Sequence, residues 1–136
     1  MKANVLVDTS IWIEYFNKPE SKAGASIEAL IKKWEVCAAG IILTELLQGA
    51  KVEKEFNSIL ESIVALPFLE ITLDTWINAG KISFSLRRKG ITIPTTDLII
   101  ASLALEYDCS IFTLDPHFKK IPNIKLWNNN ETGSIE

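Results

Sequence analysis

At 136 residues, 48% of them hydrophobic, the chain is long enough to bury a core without staples and too apolar for intrinsic disorder. Its formal charge of −3, from 14 Lys+Arg against 17 Asp+Glu, argues mildly against a nucleic-acid partner when taken alone. No stretch approaches the roughly 20 apolar residues that span a bilayer, and the amino terminus enters a strand too soon for a signal peptide, so a soluble cytoplasmic protein is expected.

Strand and helix signals alternate along the chain. Val5-Leu6-Val7 predicts a buried strand, followed by a short helix through Ile11, Trp12, Tyr15 and Phe16. After the break at Asn17-Lys18-Pro19-Glu20, Ser21 is placed to cap a helix with apolar residues at Ile27, Leu30, Ile31 and Trp34. Val36–Ala39 predicts a second strand, with Gly40 before a helix carrying Ile41, Ile42, Glu45 and Leu46. The next helix has Val52, Phe56, Ile59, Leu60 and Ile63 on one stripe and stops at Pro67.

Phe68–Ile71 predicts a third strand. Asp74 is placed to cap a helix running to Arg87-Arg88, which Lys89-Gly90 ends. The segment opening near Asp97 is apolar on almost every side, as in a central buried helix. Ile111-Phe112-Thr113 gives a fourth strand and Ile124–Trp127 a short edge strand. This alternation predicts a three-layer α/β/α fold with a mostly parallel sheet of four to five strands. A single domain over 1–127 and a polar tail over 128–136 are expected. Cys37 and Cys109 fall in apolar segments and are expected as buried free thiols.

Four acids stand where apolar segments end or helices begin. Asp8 closes the first strand, Asp115 follows the fourth, Asp97 opens the apolar helix, and Glu45 interrupts Ile41–Leu47. Carboxylates set in apolar sequence are costly to desolvate, and when they converge they repel each other unless a proton or a cation intervenes. Open α/β sheets put their sites beyond the carboxyl ends of the strands, which is where Asp8 and Asp115 fall. A hard divalent ion such as Mg²⁺ prefers oxygen ligands, so the pattern suggests a carboxylate metal site. With these four acids so assigned, the remaining charges are near balance. The clusters Arg87-Arg88-Lys89 and Lys119-Lys120 are then candidates to follow a phosphate backbone, while Lys32-Lys33 is a solvated helix end.

The segments around these acids resemble one family in order. Val5–Ile13, with Asp8-Thr9-Ser10 at its centre, looks like the opening of PIN-domain ribonucleases, particularly VapC-type toxins of toxin–antitoxin pairs. Ile42–Gly49 is similar to their second acidic motif, Thr96–Ala104 to the third and Ile111–Phe118 to the fourth. The resemblance implies a Mg²⁺- or Mn²⁺-dependent endoribonuclease that cuts structured RNA such as tRNA or rRNA. It also implies a homodimer inhibited by a cognate VapB-type antitoxin.

On that reading Asp8 and Asp97 hold the metal, directly or through water. Glu45 and Asp115 complete the catalytic carboxylates, and the hydroxyls of Thr9, Ser10 and Thr113 support them. Some relatives carry an acid two positions after the fourth Asp, where this chain has His117; a surface or packing role is expected for that histidine. The aromatic stripe Trp12, Tyr15 and Phe16 is expected to pack rather than stack on bases. Two alternatives are a nuclease-inactive scaffold that binds RNA or protein, and a nuclease for single-stranded DNA.

Overall fold

A computed structural model describes residues 3–128. Five strands form one sheet in the order β3-β2-β1-β4-β5, and every pair is parallel. The strands are β1 (Val5–Val7), β2 (Val36–Ala39), β3 (Phe68–Leu69), β4 (Ser110–Phe112) and β5 (Lys125–Leu126). Between them lie α1 (Thr9–Asn17), α2 (Lys22–Lys32), α3 (Gly40–Gln48), α4 (Glu53–Val64), α5 (Leu73–Arg87) and α6 (Thr95–Tyr107), with a 3₁₀ helix over Pro116–Lys120. Helices cover the sheet in the expected three-layer α/β/α arrangement.

β1 is the axis of the core. All three of its residues are buried, and it pairs with β2 through Val5↔Val36 and with β4 through Leu6↔Ile111. Both its neighbours need a continuous apolar run, because a parallel sheet covered on two faces has no solvent side. α6 lies against this centre with every residue from Asp97 to Ala104 buried, which accounts for its lack of a polar face. α1 packs on α2 and α3, and α3 on α4, while α5 and α6 form a pair.

Several expectations need correction. The helix through Ile27 and Leu30 ends at Lys32, and Trp34 turns out to solvent with φ 59° and 66% exposure. Ser21 does cap that helix, accepting from the Gly24 N–H at 3.0 Å. α5 starts one residue after Thr72, whose backbone N–H donates to Thr75 Oγ1, so Asp74 sits inside the first turn rather than capping it. Of the stripe expected on α4, Ile59 and Ile63 are buried, whereas Val52 and Phe56 are exposed. β3 and β5 are two residues each, shorter than expected, as suits edge strands. Gly90 ends the turn after α5 at φ +82°, the left-handed conformation glycine adopts without strain. Cys37 and Cys109 are free and buried. Of the expected tail, residues 129–136 lie outside the described residues.

Candidate functional site

The strand order places the site. β1, β2 and β3 proceed in one direction across the sheet and β4, β5 in the other, so the reversal falls between β1 and β4. A crevice opens beyond the carboxyl ends of strands at such a reversal. Asp8 leaves β1 there, and Thr113 and Asp115 leave β4 there.

Asp8 is 5% exposed and precedes α1, yet its side chain makes no capping bond to that helix. Its Oδ2 instead accepts from Thr113 Oγ1 at 2.7 Å and from Ser10 Oγ at 3.0 Å. Both hydroxyls are oriented from behind: the Leu114 N–H donates to Ser10 and the Asp115 N–H to Thr113. Each hydroxyl hydrogen is therefore directed at Asp8. Thr9, the next residue, donates to Glu45 Oε1 at 2.7 Å and so fixes the α3 carboxylate beside the β1 terminus. The three hydroxyl residues expected as supports all contact a site carboxylate.

Asp97 stands in the first turn of α6, where the helix dipole favours negative charge. Its Oδ2 is buried and has no hydrogen-bond partner. Burial first, then the negative charge of Asp115 and a hydrogen bond with its carboxylate, then the charge of Asp8, push the Asp97 carboxyl up to about 7, against an opposing pull from His117. Asp115 responds in the other direction. Burial would raise its pKa, but the His117 backbone N–H, donating at 2.9 Å, and the His117 ring 2.8 Å away hold it below the usual carboxylate range.

His117, expected as a surface or packing residue, is 40% exposed at its side chain and stands beside two carboxylates. Its Nδ1 lies 2.8 Å from Asp115 Oδ1 and 3.3 Å from Asp97 Oδ2. Ligand atoms of Asp97, Asp115 and His117 all lie within 4.8 Å of one another. Sequence carried one signal for this: His117 occupies the position where relatives place an acid. Trp12 is fully buried and stacks with Phe16, in line with a packing role for that stripe.

A cleft of about 450 Å³ runs from Glu45 between α1, α3 and α4. Ile13, Phe16, Leu46 and Ile59 give it apolar walls, and Lys51 and Lys54 stand at its rim. Lys119 and Lys120 follow His117 on the 3₁₀ helix and are exposed. Arg87, Arg88 and Lys89 are exposed just before the short loop that leads into α6 and Asp97.

The PIN domain model matches residues 5–124, which takes in β1 and all four acids. The chain belongs to the PIN domain family. Within that family its relatives are VapC proteins. Over 125 residues it is 30% identical to Ribonuclease VapC11 of Mycobacterium tuberculosis, covering 88% of this chain and 92% of the relative. Identity to Ribonuclease VapC2 of Rickettsia felis is 28% over 128 residues, 90% and 96% of the two chains. The fold superposes on a chain of VapBC2 from Rickettsia felis bound to a DNA fragment from their promoter. That match has a TM-score of 0.78 and 27% identity, and covers 94% of this chain and 100% of the other. DNA-bound VapBC from Salmonella typhimurium gives 0.74 at 26% identity, covering 91% and 96%. The PIN assignment and the α/β/α fold expected from sequence both stand.

Among the described residues of this PIN protein, no helix is long and apolar enough to cross a membrane. The donor set suits a hard or borderline divalent ion, being carboxylate oxygens with one imidazole. The partnerless, buried Asp97 Oδ2 is the observation that favours a cation: an ionised carboxylate is not stable there uncompensated.

Proposed function

We propose that this PIN protein is a divalent-metal-dependent endoribonuclease, the toxin of a VapBC-type pair, acting in the cytoplasm on structured RNA such as tRNA or rRNA. The observation that carries the reading is the row of carboxylates from Glu45 through Asp8 to Asp115 and Asp97, ending in a buried oxygen with no partner. Asp8 and Asp97 would hold the ion, directly or through water, with Glu45 and Asp115 completing the set. Mg²⁺ and Mn²⁺ both suit these donors.

A divalent ion supplies positive charge for the phosphate oxygens and makes a nearby water more acidic. The protein's own groups do the rest. Thr113 and Ser10 hold the Asp8 carboxylate in place, and Thr9 does the same for Glu45, whose carboxylate is the candidate to receive the proton of the attacking water. Exposed Lys119 and Lys120 on the 3₁₀ helix after Asp115, and the exposed Arg87–Lys89 cluster at the end of α5, would guide the RNA backbone toward the acids. The apolar cleft beside Glu45 would take a segment of a VapB-type antitoxin. Bound there, the segment is positioned to send a cationic side chain over the carboxylates and shut the site.

The test is cleavage of an RNA panel with Mg²⁺ or Mn²⁺ by the purified protein and by Asp8→Asn, with single-stranded DNA in parallel. Metal-dependent RNA cutting by the wild type alone supports the reading. Cutting of DNA but not RNA, or binding without cutting by both proteins, replaces it with the deoxyribonuclease or scaffold alternative.

A further inference from the structure

We infer that His117 is a nitrogen ligand to the metal of this site, together with Asp97 and Asp115, and that the site therefore prefers a borderline transition ion such as Mn²⁺ to Mg²⁺. The inference rests on the metal-dependent reading above and goes beyond it in naming a ligand and a metal class.

Three observations carry it. The first is spacing. Ligands cis to each other on an octahedral ion with bonds of about 2.1 Å stand about 3 Å apart. The contacts of His117 Nδ1 with Asp115 Oδ1 and Asp97 Oδ2, 2.8 and 3.3 Å, bracket that edge.

The second is direction. Nδ1 and Asp97 Oδ2 are both buried and neither makes a well-aligned hydrogen bond, although the ring stands close enough to Asp115 to hold that carboxyl's pKa down. An ordinary histidine–carboxylate pair would aim its N–H along one of the two contacts. Here the nitrogen stands near two oxygens, one of which belongs to Asp97, whose side chain is 11% exposed. Two buried polar atoms 3.3 Å apart with no well-aligned bond between them are well placed to share an ion.

The third is how the ring is held. The His117 backbone N–H donates to Asp115 Oδ1 at 2.9 Å, so one carboxylate oxygen fixes the turn that carries the imidazole. Phe118, the next residue, is fully buried and anchors the 3₁₀ helix in the core. The ring is positioned by the fold, although its side chain is 40% exposed on the outer edge.

The chemical consequence follows from ligand type. Mg²⁺ binds oxygen and keeps its waters, whereas imidazole nitrogen suits Mn²⁺ and the later first-row ions. An acid at this position would make an all-oxygen site indifferent between Mg²⁺ and Mn²⁺; a histidine tilts it toward the latter.

The chain contains one histidine, which makes the test specific. Mn²⁺ is titrated into the tag-free, full-length protein, and pulsed electron paramagnetic resonance then reads coupling from directly bound ¹⁴N. A strong nitrogen signal in the wild type that disappears in His117→Gln supports the inference, provided both proteins bind the ion. His117→Asp serves as the second variant: it should bind Mn²⁺ and Mg²⁺ without nitrogen coupling. Its Mn²⁺-over-Mg²⁺ preference, measured by calorimetry, should fall by about tenfold or more, the scale on which loss of a ligand's partner alone is felt. Bound Mn²⁺ with no nitrogen coupling, or coupling that survives in His117→Gln, overturns the inference but leaves the nuclease reading intact. Absence of any Mn²⁺ binding overturns both.

Discussion

Thr113 Oγ1 and Asp8 Oδ2 stand 2.7 Å apart although 105 positions separate them in the chain. The bond joins the exit of β4 to the exit of β1, the two strands between which the sheet order reverses. It converts a topological feature into a fixed carboxylate. Thr113→Val removes the donor and keeps the shape, so Asp8 retains only Ser10. Loss of a hydrogen bond to a partly buried charge costs about 1.5–3 kcal/mol, and urea denaturation should show a loss of that size. RNA cleavage should fall with it, and Thr113→Ser should recover most of both.

Asp97 sets a conflict between stability and function. The folded protein holds its proton up to about pH 7, whereas an unfolded chain releases it near 3.8. Between those values the folded state binds more protons, so the stability of ion-free protein is greatest below about pH 4, declines toward pH 7 and is level above it. Asp115, with its pKa lowered, works in the opposite sense and only at the acid end of that range. Thermal unfolding in a chelator across pH 4–8 checks the slope. Asp97→Asn should flatten it and raise the midpoint at pH 8 by about 3–6 °C while abolishing cleavage. Adding Mn²⁺ should raise the midpoint of the wild type and not of the variant.

The placement of Asp8 and Asp115 was legible because both follow short buried strands, and a sheet brings such strand ends together; Glu45 and Asp97 stand on helices, so their approach depends on how α3 and α6 pack. The hydroxyls of Thr9, Ser10 and Thr113 were legible as neighbours of those acids. Their separate duties were not, because which hydroxyl faces which carboxylate depends on the parallel register of β1 with β4. The carboxylate neighbours of His117 were not legible for a related reason. A histidine two residues beyond an acid is commonplace, and only the approach of α6, from 20 positions upstream, puts Asp97 beside it. Trp34 shows the limit of periodicity: its i+7 spacing fits the stripe, but the helix had already ended at Lys32.

Gly24 gives a check on the fold apart from the chemistry. It lies in the first turn of α2, against the carbonyl of Pro19, and a Cβ added there would meet that oxygen at 2.3 Å. The obstacle is backbone, so it cannot rotate away. Gly24→Ala should cost about 1–3 kcal/mol through forced displacement of the α1–α2 connection. Asp8, Glu45 and Asp97 lie outside that connection, so metal affinity measured on the folded fraction should stay at the wild-type value.

α5 presents an apolar stripe to solvent. Leu73, Trp76, Ile77 and Phe84 are 72%, 52%, 46% and 66% exposed and fall on one side of the helix, with Gly80 between them facing open space. Four large apolar residues on one stripe exceed the scattered exposure that a monomer tolerates, and the central glycine lets another helix approach closely. The opposite side of α5 is already committed, since Thr75, Ala79 and Leu86 are buried and Thr75 donates to Glu106 of α6. We propose that the outward stripe is the homodimer interface. Phe84→Glu places a charge at its C-terminal end without disturbing the buried side. Sedimentation should then show a wild-type dimer and a variant monomer whose thermal unfolding no longer depends on concentration. A wild type that sediments as a monomer at every concentration would remove the dimer from the proposal, and a variant that remains dimeric would move the interface elsewhere.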